Sequence, residues 1–70
     1  MKYSELALKL RRLGLEVYRQ GKGGHEIWWW PERRTKATIP RHPSREIAAG
    51  TLKTILKHLG LTMEDLERGR

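Results

Sequence analysis

The 70-residue sequence has no cysteine, no phenylalanine and no long uninterrupted apolar run. Without cysteine, neither a disulfide scaffold nor a thiolate zinc site can form, and a reducing compartment is acceptable. Residues 1–5 open a charged amphipathic segment rather than the apolar core of a signal peptide or a membrane span. These absences predict one cytoplasmic domain, residues 1–70, with no membrane contact.

Acidic residues are also few. Eight Asp and Glu against fifteen Lys and Arg give a formal net charge of +7. The last nine residues have a net charge of −1, so the remainder carries +8. A field of one sign on so small a body attracts polyanions such as nucleic acid. The same charge also suits a solvated basic face or a dock for an acidic protein, and charge alone leaves these alternatives open.

Apolar residues at helical spacing predict two principal helices and a short third one. The first covers residues 4–13, with Ser4 as its N-cap and Gly14 as a left-handed residue just past its end. The second covers residues 51–59 and is closed by the glycine that follows it. A Thr-x-x-Asp pattern that resembles a capping box starts the last helix at residue 62.

Three strands are predicted between the helices, over residues 15–19, 25–30 and 35–39. A turn with three glycines in four positions, residues 21–24, separates the first two strands. Consecutive strands with tight turns form an antiparallel meander, and two helices with one apolar stripe each must cover the same face of it. The sequence therefore predicts an α+β fold, a two-layer α-β-β-β-α sandwich with a short C-terminal helix and one open sheet face.

Residues 21–30, GKGGHEIWWW, place a histidine between the glycine-rich turn and three tryptophans. Glycines allow a ligand to approach the backbone closely and expose amides in a concave turn that suits phosphate. Lys22 adds positive charge, and histidine is the side chain that most readily exchanges protons near neutral pH. His25 is therefore a candidate catalytic group, although a lone histidine at a strand start can also be a hydrogen-bonded spacer.

Alternation along the second strand divides its side chains between two faces: His25, Ile27 and Trp29 on one, Glu26, Trp28 and Trp30 on the other. One set packs under the helices and the other faces outward, so not all three tryptophans can belong to the core. Exposed indole rings are costly unless they serve a surface. Trp28 and Trp30 are candidates for base stacking or for contact with a protein partner. The alternative, that tryptophan at the rim extends the core, covers at least one of the three.

A basic loop after the third strand supplies further candidates. The prolines of Pro-Arg-His-Pro, residues 40–43, fix this loop, in which Arg41, His42 and Arg45 could bind phosphate. His42 could equally cap a turn. His58 lies near the end of the second helix, where a positive charge complements the helix dipole, and a structural role is expected for it. The three histidines lack metal-ligand spacing, so neither a metal nor another cofactor is predicted.

Three segments in order, residues 23–28 (GGHEIW), 38–43 (TIPRHP) and 50–62 (GTLKTILKHLGLT), resemble the HicA family of toxins. The opening residues 3–6 and the Leu-Gly pair at 13–14 are also similar, so the resemblance covers nearly the whole chain. It implies a fold similar to double-stranded-RNA-binding domains. It also implies a ribosome-independent mRNA interferase that cleaves single-stranded mRNA and acts in stress response. The implied partner is a HicB-type antitoxin, which neutralises the toxin in a hetero-complex.

The resemblance also implies roles for single residues. The essential histidine of the family corresponds to His25. The family usually has serine or another small polar residue before it, whereas this chain has Gly24, and a hydroxyl that could bind phosphate is thereby lost.

Metal-free cleavage can use the 2′-hydroxyl of the RNA as nucleophile, with protein groups that move protons and stabilise the phosphorane. We expect His25 to transfer protons and three residues of the turn, Lys22, Gly23 and Gly24, to hold the phosphate. Arg41 and Arg45 would follow the flanking RNA backbone, and Tyr18 and His42 are candidates for a second acid or base. A non-catalytic RNA-binding module of the same fold is the first alternative, and a pure protein-interaction domain is the second.

Overall fold

A computed structural model describes residues 1–42 and 45–68. The elements follow the predicted order: α1 (Tyr3–Arg12), β1 (Glu16–Gln20), β2 (His25–Trp30), β3 (Thr35–Pro40), α2 (Ala49–Leu59) and α3 (Met63–Arg68). No helix among these residues is long and apolar enough to cross a bilayer. The predicted α-β-β-β-α order with a short C-terminal helix is confirmed.

The ends of the helices test the predicted capping residues. Helix α1 begins one residue earlier than predicted, and its N-cap is Lys2, which makes no side-chain capping bond. Lys2 is instead held by an isolated antiparallel bridge to Glu46, so tertiary contact replaces the expected Ser4 cap. At the other end, Gly14 has a φ of +98°, as a left-handed terminating residue requires.

The second and third helices follow the sequence signals more closely. Helix α2 ends as predicted, with Gly60 at a φ of +78° and its N–H directed at the carbonyl of Leu56. The capping box before α3 is reciprocal: the Asp65 N–H donates to Thr62 Oγ1 and the Thr62 N–H donates to Asp65 Oδ2, both at 3.1 Å. The predicted capping box is confirmed.

The three strands form one antiparallel sheet in the order β1-β2-β3. Both long helices cover one face of the sheet. Their apolar stripes pack there against alternate residues of β2 and β3 and form the core. Its fully buried members are Leu6, Leu10, Trp28, Ile39, Leu59 and Leu66. Within the described part of the chain, no helix packs over the other face. This two-layer arrangement is consistent with the fold of double-stranded-RNA-binding domains, as expected.

The alternation of β2 divides the three tryptophans between the two faces of the sheet. The one that is partly exposed is not one of the two that were expected to contact a ligand or partner. Trp28 is 0% exposed and Trp30 is 5% exposed, and both lie in the core. The expectation that these two rings stack bases or contact a partner is therefore wrong, since their faces are covered by helices and strands. Trp29, on the opposite face, remains partly exposed.

Candidate active site

A tight turn places His25 at the start of β2. The turn runs from Lys22 to His25, whose N–H points to the Lys22 carbonyl at 3.4 Å. Its two middle residues, Gly23 and Gly24, have φ values of +64° and +77°. Positive φ at both middle positions is what a type I′ hairpin turn requires, and glycine adopts it without steric cost. Glycine is therefore needed at both positions for the backbone geometry of the turn.

This geometry predicts opposite effects of alanine at two glycines. Gly24→Ala should destabilise the fold by about 1–2 kcal/mol, because an L residue is strained at positive φ, although an added Cβ would meet only His42 Cε1, at 3.9 Å. Gly50→Ala is the matched control, since Gly50 is helical, has open space around its Cα and should tolerate or gain from alanine. Urea unfolding of both variants measures this. Equal shifts in the free energy of unfolding would contradict the role of positive φ.

The hydrogen bond of His25 determines which nitrogen carries the proton when the ring is neutral. Nδ1 lies 3.1 Å from the carbonyl oxygen of Lys22. A carbonyl oxygen can only accept, so Nδ1 carries the proton, and in the neutral ring Nε2 is the unprotonated acceptor. The side chain is exposed. The turn therefore presents an imidazole whose outer nitrogen can take a proton.

The segment that follows β3 lies against this turn. His25 pairs with Pro40 in the antiparallel register, and the Arg41 N–H donates to the Gly24 carbonyl at 2.6 Å. The His42 ring also lies close to Gly24, because a side chain at that position would have its Cβ 3.9 Å from His42 Cε1. These contacts bring together four of the predicted site residues: Gly24, His25, Arg41 and His42.

The remaining predicted phosphate ligands lie at the rim of the same cluster. Lys22 is exposed and belongs to the turn itself. Arg45 is exposed and is tied to the cluster by its N–H, which donates to the His42 carbonyl at 2.9 Å. The second proline of the predicted loop, Pro43, lies outside the described residues. The arrangement can concentrate positive charge around one exposed imidazole.

A buried carboxylate beneath the site was not predicted. Glu26 is 3% exposed and accepts hydrogen bonds from the Tyr3 hydroxyl, from Trp28 Nε1 at 3.2 Å and from Gln20 Nε2 at 3.0 Å. It also forms an ion pair with Arg41, whose Nε lies 3.5 Å away and whose side chain is half exposed. The alternation of β2 placed Glu26 on the same face as Trp28 and Trp30, but it did not identify that face as the core, so the pattern did not indicate that this carboxylate is buried.

The network also perturbs two pKa values. Burial is the largest influence on Glu26 and would raise the pKa of its carboxyl. The hydrogen bonds from Tyr3, Gln20 and Trp28, with the charge of Arg41, outweigh burial and lower that pKa below its ordinary value. Burial and the bond to Glu26 raise the pKa of the Tyr3 hydroxyl. Glu26 therefore stays ionised and can hold the Arg41 guanidinium in place beside the turn.

A second group of side chains lies on the open face of the sheet, on the same side as His25. The Tyr18 and Trp29 rings are 6.2 Å apart between centroids and tilted by 52°. Lys36 Nζ is 4.8 Å from the Tyr18 centroid and 6.0 Å from that of Trp29. We call Tyr18, Trp29 and Lys36 the aromatic platform. Of the three, only Tyr18 was singled out from the sequence, as a candidate acid or base.

Within residues 1–42 and 45–68, no group of three or more His, Cys, Asp or Glu side chains is placed to hold a metal ion. The cluster around the turn contains an imidazole, cationic side chains and backbone amides.

Comparison with known proteins gives one result. A family model described as the HicA toxin of bacterial toxin-antitoxin matches residues 3–61. This segment contains the turn, the loop after β3 and both long helices. Among curated proteins and among solved structures, none matches the chain significantly.

Proposed function

The chain belongs to the HicA family of bacterial toxins, and on this premise we propose that it is a metal-independent endoribonuclease that cleaves mRNA. His25 is its proton-transfer residue. The observation that carries this proposal is the exposed His25 ring, whose Nδ1 is held by the Lys22 carbonyl, which leaves Nε2 as the acceptor of the neutral ring.

Cationic groups around His25 supply the phosphate site. Arg41 is fixed at its backbone by Gly24 and at its side chain by Glu26, yet half of that side chain remains exposed. A guanidinium held in this way can donate to a phosphate with little loss of conformational freedom. Lys22 and the amides of the glycine turn would bind the same phosphate, and Arg45 would contact the neighbouring one.

The cleavage step follows from these positions. Nε2 of His25 accepts the proton of the 2′-hydroxyl, and the 2′-oxygen attacks the adjacent phosphorus to form a phosphorane. The bond from phosphorus to the 5′-oxygen then breaks, and that oxygen takes a proton from His42 or from water. The products are a 2′,3′-cyclic phosphate and a 5′-hydroxyl. Cationic donors stabilise the charge that develops on the phosphorane.

The family also implies an antitoxin partner. We assign this role to a HicB-type protein that forms a hetero-complex with the chain and covers His25. Charge complementarity supports an acidic contact surface on that partner, because the chain has a net charge of +7. Both partners, RNA and antitoxin, would then compete for one cluster of cations.

The purified protein should cut single-stranded RNA in the presence of a chelator and leave 2′,3′-cyclic phosphate ends. The reaction proposed for His25 uses the substrate's own hydroxyl, so chelation should not change its rate. Mass spectrometry of the fragments identifies the ends, and the same digestion without chelator is the control.

Three outcomes would contradict this function. Fragments with 5′-phosphate ends would mean that water, not the 2′-hydroxyl, is the nucleophile. Salt-sensitive RNA binding without any cleavage would favour the non-catalytic RNA-binding module. RNA affinity that does not change with salt would favour a protein-interaction domain, because phosphate contacts weaken as salt rises.

A further inference from the structure

We propose that the aromatic platform is a binding subsite for a base of the RNA, one that holds a nucleotide beside the bond to be cleaved. This inference rests on the proposed function and adds to it a place where the base, rather than the phosphate, is bound. The platform lies on the open face of the sheet, outside the cluster around the turn.

A β-bulge builds this surface. In the antiparallel register Val17 pairs with Trp28 and Arg19 pairs with Ile27, so Tyr18 is an extra residue between them. A bulge redirects side chains, and here it gives β1 two consecutive residues on the open side, Tyr18 and Arg19. Tyr18 is 56% exposed. Its ring therefore reaches Trp29 on the neighbouring strand and extends the aromatic surface.

The platform and the proposed catalytic residue share one face of one strand. His25, Ile27 and Trp29 alternate along β2 on the open side, so the His25 and Trp29 backbones are about 13 Å apart at the ordinary rise of a strand. A depression of about 470 Å³ includes two residues of the platform, Tyr18 and Lys36. The other residues that line it are Arg19, Ile27, Ala37, Thr38 and His58. A single strand of RNA that follows β2 would thus pass from the imidazole to the rings.

Charge favours RNA as the occupant. Lys36 holds its ammonium over both rings, and Arg19 adds a second cation on the same side. The aromatic rings can stack on a base, and the cations beside them can bind the phosphate attached to it. Stacking of this kind accepts any base, because every base has a π face. Glu16 and Lys36 both pair with Trp29, so one carboxylate also borders the platform. Arg19 pairs with Ile27 and therefore lies between the platform and His25, on the path that leads to the cleavage site.

Binding of two polyanions separates stacking from charge. In a His25→Gln background, Trp29→Ala should weaken binding of a labelled 12-nucleotide RNA by about 5- to 150-fold, the range of one stacked base. The same change should leave the affinity for inorganic polyphosphate within about twofold, because polyphosphate has no base. Lys36→Gln should weaken binding of both ligands, since it removes a contact with phosphate.

Two further variants show that the ring itself matters. Trp29→Phe should recover most of the RNA affinity, whereas Trp29→Leu, which is also apolar, should not. Leu8→Ala is the matched control: Leu8 is an exposed apolar residue on α1, 52% exposed, and its loss should leave RNA binding unchanged. Thermal melting of each variant checks that it is folded.

Three results would overturn the subsite, and a fourth would contradict only the proposed nuclease. Equal losses of RNA and polyphosphate affinity in Trp29→Ala would indicate a disturbed fold, and unchanged RNA affinity would remove Trp29 from the binding surface. Unchanged RNA affinity together with lost antitoxin binding would assign the face to the protein partner. A parent protein that binds RNA through Trp29 but does not cut it would contradict the proposed nuclease and leave the subsite intact.

Discussion

Replacing His25 with glutamine should slow RNA cleavage by about 10²- to 10⁴-fold, the usual contribution of a general acid or base. Glutamine is polar and close to histidine in size, and the change leaves both glycines of the turn in place. It cannot exchange protons near neutral pH, so the loss isolates proton transfer from the geometry of the turn. Initial rates on a fluorophore-quencher RNA give the ratio, and RNA affinity and thermal melting should remain close to those of the parent.

The control for this variant is Lys57→Gln. Lys57 is exposed on α2 and is not part of the cluster around the turn, so its replacement by the same residue should alter the rate only slightly. His42→Gln is a graded companion. A loss near that of His25→Gln would assign the second proton transfer to His42, and a loss of about tenfold or less would leave that proton to water. Parental cleavage by His25→Gln would refute the assignment of His25.

Much of the fold could be predicted because the short elements are strongly marked. Period-3.6 and period-2 patterns identify both long helices and all three strands, and Gly14 and Gly60 terminate helices in the left-handed conformation as expected. The Ser4 cap was wrong because the start of α1 depends on a bridge between Lys2 and Glu46, 44 positions apart in sequence. Local pattern holds no information on such a contact.

The faces of the sheet were harder to assign than its strands. Alternation along β2 correctly divided its residues, but it did not identify which set lies under the helices. Trp28 and Trp30 were consequently expected at the surface although they are in the core. The bulge at Tyr18 was also hidden, because one extra residue in a five-residue strand leaves no sequence signal. The extra residue determines on which face of the sheet the side chains of Arg19 and Gln20 lie.

The candidate site was predictable where one segment supplies it and unpredictable where tertiary contact does. The glycine turn, Lys22 and His25 are consecutive, and a motif describes them. The contact of Arg41 with Gly24 and Glu26 depends on how β3 ends beside β2. A family resemblance can place Arg41 in the site, but only coordinates show that a buried carboxylate holds its side chain.

That buried carboxylate should be the residue of the site on which stability depends most. Glu26→Leu should lower the free energy of unfolding by about 2–6 kcal/mol, since it leaves the Tyr3 hydroxyl and Trp28 Nε1 as buried donors without an acceptor, at about 1–3 kcal/mol each. A 70-residue domain has about 4–10 kcal/mol in all, so this variant should be close to unfolding. Glu26→Gln keeps one acceptor oxygen and should lose only about 1–2 kcal/mol. Urea unfolding measures both.

A double-mutant cycle with Tyr3→Phe is the internal control. If the stranded hydroxyl causes much of the loss, then Tyr3→Phe in the Glu26→Leu background should cost less than it does in the parent, or should stabilise the protein. Additive losses would mean that the two side chains do not interact, and the hydrogen bond between them would then contribute nothing measurable to folding.

The dependence of stability on pH tests the charge of Glu26 separately from its shape. The folded-state pKa of Glu26 lies below the ordinary 4.5, so its contribution is fully present above pH 4.5 and is lost as the pH falls through the folded value. Tyr3 has the opposite sign: its pKa is raised above 10.0, so its contribution is lost as the pH rises through that higher value. The free energy of unfolding, measured from about pH 3 upward, should therefore fall less steeply towards acid pH in Glu26→Gln than in the parent. Part of this fall, the acid limb of the curve, should remain, because the pKa values of Glu46 and Asp65 are also lowered. An acid limb as steep as that of the parent would mean that Glu26 is not ionised in the folded protein, and the anchor proposed for Arg41 would lose its charge.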